Sequence, residues 1–453
     1  MIKKNDIVEL EIIDNGSSFE GIAKLDGLVI FVPGAIITEK VRAKIIKVTS
    51  SYAIGKIEEV LVKSRYRKEP FCEVFNACGG CVCQNIEYDM QLILKKNIVN
   101  NLMDKQKTKY KKINNTFGMG MPYYYRNKVQ YPVRKKGDKT VIGFYKTNSH
   151  DIVENKCCYI QNRVIDILAK NVLDEFVKLG FSGYNEETKK GDIRHILIRR
   201  GYHTAEIMIV VIVNSKNIFT DYRIRNIVQN IVDKNNNVKN IFLNLNTSNT
   251  NEILGEKIKQ VYGLDEYISD YIGEYKFLIS PKSFFQVNTI QAEVLYNVLK
   301  KYLKLKGNEV VFDLYSGVGS IGIFLSKYAK EIYGIEIEKT AVDMANLNIQ
   351  LNDIKNAEYI AGSVEDRIIE FKNRNIKPDV IVVDPPRKGM DSKSIEYILE
   401  FLPEKIGYIS CNPATMARDL KLLMEKYEIN EITPVDMFPH TSHVECVCVL
   451  NRR

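Results

Sequence analysis

Over residues 1–62 apolar and polar positions alternate in short runs, "DIVELEIID", "GIAKLDGLVIFVPG", "EKVRAKIIKVT" and "YAIGKIEEVL", separated by glycine, proline or asparagine turns. A period of two marks half-buried strands, and about five of them in so short a stretch predict a small closed barrel of the oligonucleotide-binding type. A basic tract, "KSRYRKEP", leads out, either as a linker or as a strip facing RNA. The period then changes: "YDMQLILKKNIVNNLMDKQ" has helical apolar spacing. Residues 117–285 return to strands ("RNKVQYPVR", "TVIGFYK", "RHILIRRG", "AEIMIVVIV", "NIFLNLN") with one helix around 162–179, which predicts an α+β domain of mainly antiparallel strands. From 286 onward strand, loop and helix alternate, the rhythm of a doubly wound parallel sheet. The expected division is a β-barrel over 1–62, a central domain over 70–285 and a Rossmann-like domain over 286–453.

Composition narrows the class. With 453 residues, 45% of them hydrophobic and 27% charged, the chain can build two or three cores. No apolar run reaches membrane-spanning length and "MIKKNDIVEL" lacks a signal-peptide core, so a cytoplasmic protein is expected. In that compartment thiols stay reduced, and the nine cysteines need explanations other than disulfides. A net charge of +9 favours a polyanionic partner such as RNA.

"VVFDLYSGVGSIGIFL" runs from an apolar strand through a glycine turn into a helix, as a nucleoside cofactor requires. Glu336 closes the next strand, "IYGIE", where a carboxylate can accept hydrogen bonds from both ribose hydroxyls. Gly317, Gly319 and Gly322 formally meet the dinucleotide fingerprint, so NAD stays open on glycines alone. Asp313 at the strand end suits the cationic methionine moiety of S-adenosylmethionine better than a pyrophosphate. "VDPPRKG" adds a proline-stiffened platform behind an acid at the same sheet edge.

The fifth strand of this region ends in "YISCNPATMARDL", which sets Cys411 at the ligand-binding edge. A thiolate there can add to C6 of a pyrimidine and turn C5 into a nucleophile for a methyl group. The C5 proton must then leave, and Glu445 in the apolar "HVECVCVL" is the candidate base, its carboxyl raised by burial. His440 and His443 read as hydrogen-bonding or substrate-positioning groups, and Cys446 and Cys448 as small buried hydrophobes. Separately, "FCEVFNACGGCVCQ" spaces Cys72, Cys78 and Cys81 as C-x5-C-x2-C, a soft-metal pattern closer to iron-sulfur ligation than to zinc. "ENKCCYI" offers Cys157 or Cys158 as the fourth ligand.

These motifs, in this order and over nearly the full length, resemble the bacterial 23S rRNA (uracil-C5)-methyltransferases of the RumA type, in the wider class that includes the tRNA uracil-54 enzyme. The resemblance implies a TRAM domain at the N-terminus, Cys411 as nucleophile and Glu445 as base. It implies S-adenosylmethionine contacts at Gln286, Tyr315, Glu336 and Asp384, and a 4Fe-4S cluster on Cys72, Cys78, Cys81 and Cys158, the last chosen over Cys157. The helix near 86–105 is then expected to pack with the catalytic domain, and Ser320 replaces an asparagine frequent in the family. The partner implied is 23S rRNA, with tRNA as the alternative, and the chain is expected to act as a monomer. A cytosine-C5 enzyme, or a non-catalytic RNA-binding or folding factor, would be the competing readings.

Overall fold

The computed structural model describes residues 2–453. Six strands form the N-terminal sheet: Ile7–Glu11, Asp14–Asn15, Gly21–Leu25, Leu28–Val32, Lys40–Val48 and Tyr52–Val62, ordered first, fifth, sixth, fourth, third, second. Its two edge strands follow each other directly in the chain. Residues between them bond to both sides, Ile12 N–H to the Glu39 carbonyl and Ile13 N–H to the Ile22 carbonyl, each at 2.8 Å, and so close the barrel around Leu10, Ile30, Val41 and Ile45. The basic tract that follows is partly structural. Arg67 donates to both carboxylate oxygens of the fully buried Glu39, at 2.5 and 2.7 Å, and pins the tract to the barrel, whereas Arg65 stays exposed over the Tyr66 ring.

The central sheet also has six strands, in the order Lys257–Tyr262, Val238–Leu245, Ile207–Val213, Ile193–Arg200, Lys128–Lys136 and Lys139–Ile142. All pairs are antiparallel except Ile207–Val213 with Val238–Leu245. A parallel pair needs a crossover. The helix Arg223–Asp233 supplies it, a second helix beside Arg163–Lys178 where one was expected. Its signal is short: Ile224, Ile227 and Ile231 make one buried stripe inside an otherwise polar stretch.

The third large sheet, which will carry the catalytic residues if the resemblance holds, has eight strands: Ala357–Ala361, Glu331–Glu336, Val310–Leu314, Val380–Val383, Lys405–Ser410, Glu445–Arg452, Tyr427–Val435 and Lys112–Ile113. The first five are parallel, as the alternation predicts. Glu445–Arg452 alone runs the other way, inserted between Lys405–Ser410 and Tyr427–Val435, so the sheet is mixed. Its last strand comes from far upstream. The preceding helix Tyr88–Gln106 buries Val99 and Met103 against Leu420 and Leu423 of the helix Pro413–Leu423, and Thr108 donates to the Ala417 carbonyl at 3.1 Å. Residues 88–113 therefore sit on this third sheet before the chain enters the central one. Among the described residues no helix is long and apolar enough to cross a membrane.

Candidate active site and cysteine cavity

The strand Val310–Leu314 ends in a turn where Tyr315, Gly317 and Gly319 all have positive φ, 63°, 54° and 79°. The glycines there have different reasons. A Cβ on Gly317 would meet nothing within 4 Å, so its backbone borders open space, whereas one on Gly322 would lie 2.4 Å from the Tyr359 hydroxyl. Gly322 serves close packing, as does Gly319, whose Cβ would lie 2.7 Å from the Tyr359 ring, and the open position of the turn is Gly317. Glu336 is tied to that turn: its Oε2 accepts from Gly317 N–H and its Oε1 from Glu338 N–H, both at 3.0 Å. Each oxygen keeps a lone pair for a further donor.

Asp313 is buried, with Oδ2 accepting from Gly322 N–H at 2.9 Å and Oδ1 left without a partner. Burial pushes its carboxyl up to about 7, against the Gly322 bond and with help from Asp384 and Glu336 nearby. Burial does the same to Asp384, also to about 7. A buried acid with an orphaned oxygen and a half-buried acid near it make a cradle for a cation rather than an anion. Gln286 is buried too, its backbone carbonyl accepting from Asn127 Nδ2 at 3.0 Å. The Tyr315 hydroxyl donates to Ser394 Oγ at 2.9 Å, which leaves the ring rather than the oxygen for other contacts. Ser320 shares a 2.8 Å hydrogen bond with the buried Tyr296 hydroxyl, so the residue that departs from the family pattern is occupied locally.

Cys411 and Glu445 arrive from different strands. Ser410 pairs with Cys446 at the end of the antiparallel ladder, so the next step of the same register sets Cys411 opposite Glu445. Glu445 is 5% exposed, and burial, then the Asp384 charge, push its carboxyl up to about 8 while Arg387 opposes them. Cys411 is half-buried, its thiol pushed up to about 11 by burial and by the Glu445 and Asp384 charges, again against Arg387. The loop that supplies Asp384 and Arg387 is fastened to the thiol's own loop. Asn412 Nδ2 donates to the Arg387 carbonyl at 2.9 Å, its Oδ1 caps Ala414 N–H at 3.2 Å, and Arg418 reaches the Lys388 and Met390 carbonyls at 3.0 and 3.1 Å. The arrangement brings a thiol, a raised carboxyl and a cation cradle to one sheet edge. Tyr296 and Arg387, which no motif singled out for a role, belong to the same neighbourhood.

The profile of the tRNA (Uracil-5-)-methyltransferase family matches residues 87–453, and that of the TRAM domain matches residues 3–57. The chain belongs to the tRNA (uracil-5-)-methyltransferase family. An uncharacterized RNA methyltransferase of Clostridium acetobutylicum is 45% identical over 100% of this chain and 98% of its own length. Another, from Staphylococcus aureus, is 42% identical over 99% of each. Among solved structures, Pyrococcus abyssi tRNA (uracil-54, C5)-methyltransferase in complex with S-adenosyl-L-homocysteine superposes with a TM-score of 0.75 and 25% identity, covering 98% of this chain and 100% of that one. The protein is thus an S-adenosylmethionine-dependent RNA (uracil-C5)-methyltransferase with an N-terminal TRAM domain.

The methyltransferase holds the segment before Glu445 with bonds from four directions. Lys95 Nζ reaches Asp436 Oδ1 at 2.5 Å, both fully buried, and the Phe438 carbonyl at 3.1 Å. Tyr88 donates to Asp436 at 2.8 Å, Gln291 to the Asp436 carbonyl at 3.0 Å, and Tyr125 to the Pro439 carbonyl at 3.0 Å. His440, buried with φ 66°, meets Gln91 through Nδ1 at 3.2 Å, and its carbonyl accepts from Val82 N–H at 3.0 Å. Burial pushes its imidazole down to about 3, so it is neutral. His443 is exposed, and Cys446 and Cys448 are fully buried.

Val82 belongs to the cysteine-rich loop. All nine cysteines are free. Cys72, Cys78, Cys81 and Cys158 line one cavity of about 190 Å³ together with Arg126, Gln84 and Asn155, whose buried Oδ1 has no partner. Cys157 does not line it, and Cys83 turns into the core to donate to Gln91 Oε1 at 3.4 Å. Among the described residues no three His, Cys, Asp or Glu side chains converge tightly enough to chelate a single ion.

Proposed function

We propose that the enzyme methylates C5 of a uridine in 23S rRNA through a covalent adduct on Cys411, in the cytoplasm and as a monomer. The observation that supports this most directly is the register that sets Cys411 opposite Glu445 beside Asp384. Cys411, as thiolate, adds to C6 of the uracil, forming an S–C6 bond and moving electron density to C5. When bound, S-adenosylmethionine would supply an electrophilic methyl group to C5, with the thioether S-adenosylhomocysteine as the leaving group. Glu445 then takes the C5 proton; the C–H electron pair rebuilds the C5–C6 double bond and Cys411 leaves as thiolate. A base held near 8 is mostly protonated at neutral pH, so its proton transfer accelerates as pH rises through that value. Gln286, Tyr315, Glu336 and Asp384 hold the cofactor in this reading, with Asp313 completing the cradle for its cationic end.

A 5-fluorouridine RNA tests the scheme, because fluorine at C5 leaves no proton to remove. A denaturing gel should show a stable enzyme–RNA adduct for the natural protein and none for Cys411→Ala. No adduct with the natural protein sinks the scheme. Mapping 5-methyluridine in rRNA and tRNA from a strain lacking the gene separates 23S rRNA from tRNA as the substrate.

The cysteine cavity fits a 4Fe-4S cluster better than zinc. Four thiols surround one space, yet they stand too far apart for a mononuclear tetrahedral site and suit a core that brings its own sulfides. Bare, Cys81 and Cys158 are protonated: burial pushes both up to about 12. Ligation would therefore release protons. Anaerobically purified protein should contain iron and acid-labile sulfide, and Cys81→Ser should lose both; a zinc-loaded, iron-free preparation overturns the assignment.

A further inference from the structure

The geometry points to a seat for one RNA backbone phosphate between Lys128 and Arg199, in the open groove next to Gln286; this rests on RNA being the substrate. Lys128 stands directly opposite Arg199 in the antiparallel pair formed by Lys128–Lys136 and Ile193–Arg200. Directly opposed residues share a face at about 5 Å between Cβ atoms, and like charges there repel. Arg199 is 7% exposed and Lys128 half-buried, so water does little to relieve the pair. Among the described residues neither Lys128 nor Arg199 forms an ion pair with a carboxylate, and none counters the burial of either cation. Arg199 donates from one guanidinium nitrogen to the Ser283 carbonyl at 2.5 Å, and its Nε has no partner. A fold that keeps two unanswered cations side by side in a partly dry place has an anion to put between them.

The surroundings say which anion. Both residues line a groove of about 920 Å³, open to solvent, with Lys257 and Lys282 on its walls and Glu252 and Glu256 on the exposed loop at one side. An open groove with further lysines fits a polyanionic strand, whereas the single carboxylate of a small cofactor would call for an enclosed pocket. The seat also adjoins Gln286, one of the cofactor contacts in the proposed reading. Asn127, next to Lys128, donates to the Gln286 carbonyl at 3.0 Å, and Ser283, which receives Arg199, lies three residues before Gln286. A phosphate held there would register the strand so that one nucleotide reaches toward Cys411. Burial, with the Arg199 and Arg126 charges, pushes the Lys128 ammonium down to about 7, the electrostatic strain that such an anion would remove.

The test uses the full-length protein and a fluorescently labelled oligouridylate, titrated at several salt concentrations. Lys128→Gln should weaken binding and flatten the slope of log Kd against log salt by about 0.7, one phosphate's share for a single strand. Lys128→Arg should keep the slope. Without RNA, Lys128→Gln should hold or raise Tm, since it frees Arg199 of a like charge, whereas a lysine with a structural role would lower it. S-adenosyl-L-homocysteine affinity should not change. An unchanged slope overturns the seat, and so does a loss of S-adenosyl-L-homocysteine affinity at constant slope, which would give the pair to the cofactor's carboxylate. Failure of 5-fluorouridine trapping would instead strike the methylation scheme and leave the salt slopes to be read on their own.

Discussion

Cys411 and Cys81 are both thiols raised by burial, to about 11 and about 12, yet their neighbours assign them different chemistry. Around Cys411 stand carboxylates, Glu445 and Asp384, with Arg387 as the opposing charge. Cys81 faces three further cysteines across one cavity, with Gln84 as hydrogen-bond partner. A lone thiol among acids stays protonated until a positive charge enters, a favourable design for a nucleophile that must wait for its partners. A thiol among thiols gains instead from a metal core that all can share. Exposure and shifted acidity alone would not have told the two apart; company does.

The largest break in that contrast is Cys411→Ala, which should lower methyl incorporation into RNA by roughly 10⁴-fold or more while leaving metal content equal to that of the natural protein. Glu445→Gln comes next. It should slow turnover by about 10²–10⁴-fold and let a covalent enzyme–RNA species accumulate on unfluorinated RNA, visible on a denaturing gel. The same substitution removes a charge that holds the Cys411 thiol up, so iodoacetamide should label Cys411 faster at alkaline pH, by up to about tenfold for each pKa unit gained. Labelling of Cys81 should not respond, because burial, Gln84, two cysteines and Arg126 set its acidity, not Glu445.

A subtler difference shows in stability. Asp313, Asp384 and Glu445 have raised folded pKa values, so between about pH 4 and 8 the folded state binds more protons than the unfolded one. Their contribution is complete below the ordinary carboxylate range and is lost as pH rises through 7 to 8. Thermal unfolding of the ligand-free enzyme should therefore show Asp384→Asn gaining on the natural protein as pH goes from 5 to 8; a constant difference would deny the shift. The smallest expected effect is at Gln91, which bonds the Cys83 and Ile86 carbonyls and His440. Gln91→Ala should cost about 1–3 kcal/mol by denaturant titration, since those groups stay buried without partners.

Much of this was legible beforehand where a local pattern carries the physics. Alternation in residues 1–62 predicted a barrel, and the strand–loop–helix rhythm after 286 predicted the five parallel strands and put Cys411 at the end of the fifth. The helix Arg223–Asp233 escaped because three isoleucines among polar residues make a weak stripe, and its necessity came from a parallel pairing no single segment reveals. "KSRYRKEP" could not be divided into anchoring and exposed residues, because Glu39, the partner of Arg67, lies 28 positions away.

By itself the sequence determined which chemistries are on offer: a thiol behind a strand, an acid within an apolar run, three cysteines at ligand spacing, glycines where a turn must be tight. Tertiary structure alone decided which of them meet. It reversed the strand Glu445–Arg452 so that its first residue falls opposite Cys411, gathered Cys158 with Cys72, Cys78 and Cys81 around one cavity, and set Lys128 against Arg199, 71 positions further along the chain. The physical reason is that burial and charge act through space. Spacing along the chain governs a helix face or a strand's alternation, but the shift of a pKa depends on what other segments bring within a few ångströms.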